Sequence, residues 1–124
     1  MPREKLVTVD TAVTAGRIEE LAVRTGFSRF PVVGADAAFL GYLHVKDVLD
    51  LDDRDAAVPQ RLWRPIISLS GDLPLDDALG AMRRAAAHLA GVVDADGRTA
   101  GLVALEDVLE ELVGEVHDPA HRSG

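Results

Sequence analysis

Apolar and polar positions follow one another along this chain in an order that occurs twice. In the first copy, a short alternating run at 6–9 precedes an apolar stripe at helical spacing between 18 and 22. A strand-like run at 30–33, a turn and a second run at 39–43 come next. A helical pattern that should bury Val48 and Leu49 then runs from Val45 to about Leu51. The pattern predicts the order β-α-β-β-α around an aliphatic core.

The first predicted helix has clear end signals. Thr14 carries a side-chain oxygen that can cap its first turn, and Gly26 suits the left-handed conformation that commonly ends a helix. Between them, Ile18, Leu21 and Ala22 form the face that we expect to be buried.

The whole pattern returns with an offset of 60 residues and without a gap, which indicates a structural repeat. The identical pairs are Val32/Val92, Val33/Val93, Ala35/Ala95, Asp36/Asp96, Gly41/Gly101, Asp47/Asp107, Val48/Val108 and Leu49/Leu109.

We therefore predict an α/β fold of the α+β kind, in which two β-α-β-β-α repeats, related by pseudo-two-fold symmetry, share one core, since each is only about half of a 124-residue domain. The predicted divisions are repeat 1 at 1–51, a linker at 52–65, repeat 2 at 66–116 and a tail at 117–124. The linker is acidic at first, and Leu62 and Trp63 should anchor its far end.

Composition narrows the classes of function. The net charge of −8 argues against a nucleic-acid surface, and the absence of cysteine excludes disulfides and a thiol nucleophile. No apolar run reaches the roughly 20 residues of a membrane helix, so this polypeptide should be soluble. No phosphate loop, serine elbow or paired-histidine metal motif is present, so neither an enzyme nor a metal site is predicted.

The repeated acid, Asp47 in one copy and Asp107 in the other, falls in the first turn of a helix just after a strand. A carboxylate there can accept two hydrogen bonds from the vicinal hydroxyls of a ribose. It can also simply complement the helix dipole. The spacing alone favours the second interpretation.

Two further stretches are candidates for binding. In 27–31, Phe27 could stack on a base while Ser28 and Arg29 hold phosphates, or Phe27 could be core and Arg29 could pair with a carboxylate. His44 stands where a helix cap is expected, and a capping role is more common there than a catalytic one. Its counterpart is Ala104.

These motifs resemble a tandem pair of cystathionine-beta-synthase (CBS) domains, and within that superfamily the CorC/HlyC hemolysin-like magnesium and cobalt efflux proteins. The stretches that carry the resemblance are Ser28-Arg29-Phe30-Pro31-Val32, 43–49, Met82-Arg83-Arg84 and above all 101–115.

The resemblance implies a fragment of a longer protein that has a transmembrane domain before the repeats and a small C-terminal domain after them. It implies a homodimer formed through the CBS helices, on the cytoplasmic face of the plasma membrane. It also implies ATP or AMP, with or without magnesium, bound in the cleft between the repeats. The nucleotide-binding residues would be Phe27, Ser28, Arg29, Pro31, Ala104 and Asp107, with His44 and Asp47 as weaker second-site candidates.

One departure from the family matters. The family usually has Thr or Ser where this chain has Ala104, and the loss of that hydrogen bond should weaken binding by about 0.5 to 1.5 kcal/mol. Two hypotheses follow: a regulatory module that binds one adenine nucleotide per chain, or a dimerisation scaffold with a degenerate site.

Overall fold

The computed structural model describes residues 6–36 and 38–117, with side chains described as far as Gly114. Apart from His117, the predicted tail lies outside these residues. The described part holds four α-helices and five strands, in the order α1 (Ala15–Thr25), β1 (Arg29–Val33), β2 (Phe39–His44), α2 (Val45–Val48), β3 (Ile66–Ser70), α3 (Leu75–Arg84), β4 (Leu89–Val93), β5 (Thr99–Ala104) and α4 (Leu105–His117), with a 3-10 turn at Gln60–Leu62. The predicted mixed α+β class is confirmed.

The described residues divide into two compact units, the first ending at Pro65 and the second beginning at Ile66. Each unit has a hydrophobic cluster of its own. In the first, Ile18, Phe30 and Leu43 are fully buried, and in the second Met82 and Ala90 are. Burial of aliphatic side chains between a helix pair and a small sheet therefore stabilises each unit.

Helix α1 begins and ends where the sequence predicts. The Thr14 hydroxyl accepts a hydrogen bond from the Arg17 amide, and Gly26 takes φ 76° while its N–H donates to the Ala22 carbonyl. Ile18 and Leu21 are buried on the inner face. Local capping and apolar periodicity thus suffice to define this element.

The first sheet pairs β1 with β2 in antiparallel register, placing Arg29 opposite His44 and Pro31 opposite Tyr42. The strand predicted at 6–9 is wrong except at Val9, which forms an isolated parallel bridge with Val32. In the second unit the corresponding segment is the complete strand β3, which runs parallel to β4.

Pro31 explains this difference between the two sheets. It is buried within β1, and its carbonyl accepts a hydrogen bond from the Val9 amide. A longer parallel ladder would also need its N–H as a donor to the residue two positions before Val9, and proline has none. The equivalent position in β4 is Gly91, which keeps its N–H, so β3 extends over five residues.

Two smaller predictions also change. Helix α2 was expected to reach about Leu51 but ends at Val48, and Arg54 Nη1 donates to the carbonyls of Val48 and Leu51. Leu49, expected inside, is 56% exposed. The linker is anchored at Leu62 and Trp63 as predicted, and Val58, also buried, shows that it packs earlier along its length as well.

Candidate functional site

The motif at 27–29 connects α1 to β1 and lies on the surface. Phe27 is 39% exposed, so it is not a core residue, and Ser28 and Arg29 are exposed as well. The Ser28 carbonyl accepts a hydrogen bond of 2.9 Å from the Val45 amide, which holds the start of β1 beside the start of α2. These side chains are therefore accessible to a ligand at that end of the first unit.

His44 ends β2 and caps α2. Its Nδ1 accepts a hydrogen bond of 3.2 Å from the Lys46 amide, so the neutral ring carries its proton on Nε2. Partial burial lowers the pKa of His44, as do the nearby cations Arg64, Arg29 and Lys46, while Asp47 opposes them. The capping interpretation of His44 is the one observed.

Asp47 follows in α2 and is bound by Arg64, which belongs to none of the candidate motifs of the sequence. Arg64 Nε donates to Asp47 Oδ2 at 2.7 Å, and Arg64 Nη2 donates to Oδ1 at 2.9 Å. The hydrogen bonds from this guanidinium lower the pKa of Asp47, and the carboxylate raises that of Arg64. We call this two-bond pair the Asp47–Arg64 fork.

The backbone around the fork is equally well fixed. Tyr42 N–H donates to the Arg64 carbonyl at 2.9 Å, and Arg64 N–H donates to the Tyr42 carbonyl at 2.8 Å. A Cβ at Gly41 would lie 2.8 Å from the Arg64 carbonyl oxygen, so the close approach requires glycine. The only sequence signal for the fork was an isolated arginine between Trp63 and Pro65 at the anchored end of the linker.

Asp107, the counterpart of Asp47 in the second unit, has different surroundings. It lies exposed in the first turn of α4, and no described side chain pairs with its carboxylate. The hydrogen bond between the Val45 amide and the Ser28 carbonyl has a counterpart in the second unit, where the Leu105 amide donates to the His88 carbonyl at 2.8 Å. Ala104 ends β5 half-buried and has no polar group to offer.

Within the first unit, therefore, Ser28, Arg29, His44 and Asp47 meet at one end of the β1–β2 pair. Ala104 and Asp107 occupy the corresponding end of β4–β5 in the second. It stays a prediction that one ligand binds both to Asp107 and to the 27–29 motif. Pro31 is buried in its sheet, so it can shape a site through the backbone but offers little surface.

One cavity was not indicated by the motifs. An open groove of about 580 Å³ adjoins the start of α1, a size typical of ligand sites, and it mixes apolar and polar walls. It is lined by Val7, Thr8, Val9, Asp10, Ala12, Val13, Thr14, Arg17 and Leu21. In the part of the chain that the structure describes, no three metal-ligating side chains come together. None of the described helices is long and apolar enough to cross a membrane.

Comparison with known protein families agrees with the division of the chain into two repeats. The model of the CBS domain matches residues 1–54 and, a second time, residues 58–114. The chain belongs to the CBS domain family.

Among relatives of this CBS pair, the uncharacterized protein Rv1841c of Mycobacterium tuberculosis is 46% identical over 115 residues. That alignment covers 92% of this chain and 33% of the relative. The chain thus spans about a third of the length of the curated relatives it matches first.

Solved structures give the same result. The CBS domain of a bacterial CNNM/CorC family Mg2+ transporter, in complex with ATP, superposes with a TM-score of 0.80 at 32% identity, covering 92% of this chain and 83% of that one. A hemolysin-like CBS protein of Oenococcus oeni superposes with a TM-score of 0.79 at 28% identity, covering 92% and 86%. The resemblance to the CorC/HlyC group is confirmed.

Proposed function

We propose that this CBS pair is a regulatory, non-catalytic module that binds ATP or AMP, with or without magnesium, and controls a CorC/HlyC-type membrane transporter of magnesium or cobalt. The observation that carries the proposal is the ATP complex of the structural neighbour, at 32% identity and a TM-score of 0.80. The exposed Asp107 carboxylate supports it, because a ribose needs an acid whose oxygens can accept new hydrogen bonds.

The proposed roles follow the family resemblance residue by residue. Asp107 accepts hydrogen bonds from the ribose hydroxyls, Phe27 stacks on the adenine, and Ser28 and Arg29 bind the phosphates. Exposure of all four side chains is compatible with these roles. On a chain with a net charge of −8, a polyphosphate needs local cations, and Arg29 and Lys46 flank His44 in the first unit.

The proposed setting is the cytoplasmic face of the membrane, where the module would work as a homodimer within a longer parent chain. The relatives' greater length supports a parent with additional domains. Exposed apolar side chains support dimerisation through helices, since Val23 on α1 is 88% exposed and Leu49 after α2 is 56% exposed.

Isothermal titration of the purified chain with ATP, with and without magnesium chloride, tests the proposal. We expect saturable binding by the unmodified chain. Asp107→Asn should weaken binding about tenfold or more, because it removes charge-assisted bonds. Glu110→Gln is the matched control, since it makes the same charge change at another exposed position of α4 and should bind ATP as the unmodified chain does.

The outcomes separate the alternatives. Absence of both heat and thermal stabilisation at millimolar nucleotide would refute nucleotide binding. Binding that is equally strong in Asp107→Asn would remove Asp107 from the site and direct attention to the groove beside α1.

The second candidate function is a dimerisation scaffold with a degenerate nucleotide site, and Ala104 is the observation that favours it. Without a hydroxyl at this position, the ribose would lose one hydrogen bond of about 0.5 to 1.5 kcal/mol. A scaffold would sediment as a dimer whose stability is independent of ATP. Ala104→Thr should then create measurable binding, whereas under the first hypothesis it only strengthens binding already present.

A further inference from the structure

The two copies of the repeated acid differ in what their oxygens contact. Both oxygens of Asp47 accept hydrogen bonds from one guanidinium, at 2.7 and 2.9 Å. The side chains of Asp47 and Arg64 are only 22% and 32% exposed. No described residue makes a comparable contact with Asp107.

An arginine fork and a vicinal diol make the same demand on a carboxylate. Each presents two parallel donors to the two oxygens, so the two partners compete for the same edge of the carboxylate. The guanidinium has the advantage of full charge, and its hydrogen bonds hold the pKa of Asp47 below the ordinary value. A neutral ribose must therefore displace a stronger ligand before it can bind there.

Arg64 is also held in place by more than its side chain. Its backbone makes two hydrogen bonds with Tyr42, and its neighbour Trp63 packs against the first unit's core. The backbone that carries the guanidinium is therefore fixed beside Asp47, and forming the fork requires only that the Arg64 side chain become ordered.

We infer that Arg64 is an internal occupant of the first repeat's acid, which closes Asp47 to nucleotide and leaves Asp107 as the only ribose-binding acid of the pair. This inference rests on the proposed function for the role of Asp107. The closure of Asp47 itself does not depend on that role.

The experiment is a titration with ATP that measures nucleotides bound per chain. The unmodified chain should bind one. Arg64→Gln removes the charge and the fork but keeps a side chain of similar length, and it should bind a second, weaker ATP. Adding Asp47→Asn to Arg64→Gln should return the number to one. In an otherwise unmodified chain, Asp47→Asn should leave ATP affinity unchanged within about twofold.

Trp63 gives an independent readout, because it is the single tryptophan of the chain and lies next to Arg64. If Arg64→Gln opens the first site, ATP should change its fluorescence in that variant, and Asp47→Asn should abolish the change. Should Arg64→Gln fail to fold, Arg64→Lys keeps the charge without the two-donor geometry. It should show the same second binding event, weaker than in Arg64→Gln.

Failure of this inference and failure of the proposed function are distinguishable. One ATP per chain in both the unmodified protein and Arg64→Gln overturns the inference and leaves the proposed function intact. If the unmodified chain binds no ATP but Arg64→Gln binds one, the proposed function fails, whereas the closure of Asp47 by Arg64 is supported. Two ATP per unmodified chain, one of them lost in Asp47→Asn, also overturns the inference.

Discussion

The two repeats of this chain share a motif but use it differently. In the first unit, His44 caps a helix of four residues, and Asp47 is bound by Arg64. In the second unit, Ala104 precedes a helix of 13 residues, and Asp107 is exposed. The motif glycine, the acid and the two residues after the acid are identical in the two copies, whereas the partner of Asp47 comes from the linker that follows the first copy. A repeated acid can thus take a structural role in one copy when a neighbouring segment supplies an arginine that binds it.

The largest expected effect tests the close approach of the linker to the first repeat. Gly41→Ala would place a methyl group 2.8 Å from the Arg64 carbonyl oxygen and 3.3 Å from Trp63 Cβ. Because backbone cannot move aside cheaply, unfolding in urea should show a loss of about 2 to 3 kcal/mol.

The matched substitution is Gly114→Ala in α4, where nothing lies within 4 Å of the added methyl group. It should be neutral or stabilise the chain by up to about 1 kcal/mol, since alanine favours helix. Equal effects of the two substitutions would contradict the close approach.

The next effect compares the two acids. Asp47→Asn should cost about 1.5 to 3 kcal/mol at neutral pH because it removes bonds to a charged group, whereas Asp107→Asn should cost less than about 1 kcal/mol. The folded-state pKa of Asp47 lies below its unfolded value of about 3.9, so its contribution is complete above that pH. The stabilisation by Asp47 is lost as the pH falls through the lower pKa that this carboxyl has in the folded state.

Urea unfolding between pH 7 and pH 3 measures this contribution. The gap in stability between the unmodified chain and Asp47→Asn should narrow as the pH falls toward 3. A gap that is constant with pH would mean that the fork does not stabilise the folded state.

A smaller effect concerns the ends of α1 and α3. Gly26 (φ 76°) and Ala86 (φ 52°) occupy equivalent positions, both in the left-handed region. Gly26→Ala should cost about 1 kcal/mol, and Ala86→Gly should stabilise the second unit by about 0.5 kcal/mol, since glycine alone adopts this conformation without strain. Thermal unfolding of both variants checks the opposite signs, and a shift of the same sign in both would refute the explanation.

The smallest effect is the contribution of His44 to pH dependence. Because burial and the neighbouring cations lower its folded pKa, the unfolded chain binds its proton more readily, and stability should fall as the pH decreases below about 6.5. His44→Asn keeps a capping acceptor but does not titrate in this range, so its stability should vary less between pH 7 and pH 5. Identical profiles for the two proteins would show that His44 does not contribute.

Much of this architecture was readable from local pattern. The ends of α1, the two strand pairs and the start of α4 follow from capping residues, apolar periodicity and a repeat without a gap, all of which act over a few residues. The prediction of a strand at 6–9 was wrong because its partner β1 contains Pro31, which lacks the N–H that a parallel ladder needs. The predicted extent of α2 was wrong as well: the helix ends at Val48, and Arg54 donates to the carbonyls of Val48 and, beyond the helix, Leu51.

By itself, then, the sequence determined the duplicated β-α-β-β-α order, the family and the two candidate acids. Only the tertiary structure decided which acid is available, because the fork joins residues 17 positions apart through a guanidinium whose place is set by backbone pairing with Tyr42. Hydrogen bonds of that range depend on where the chain returns after a turn, and no local periodicity encodes it.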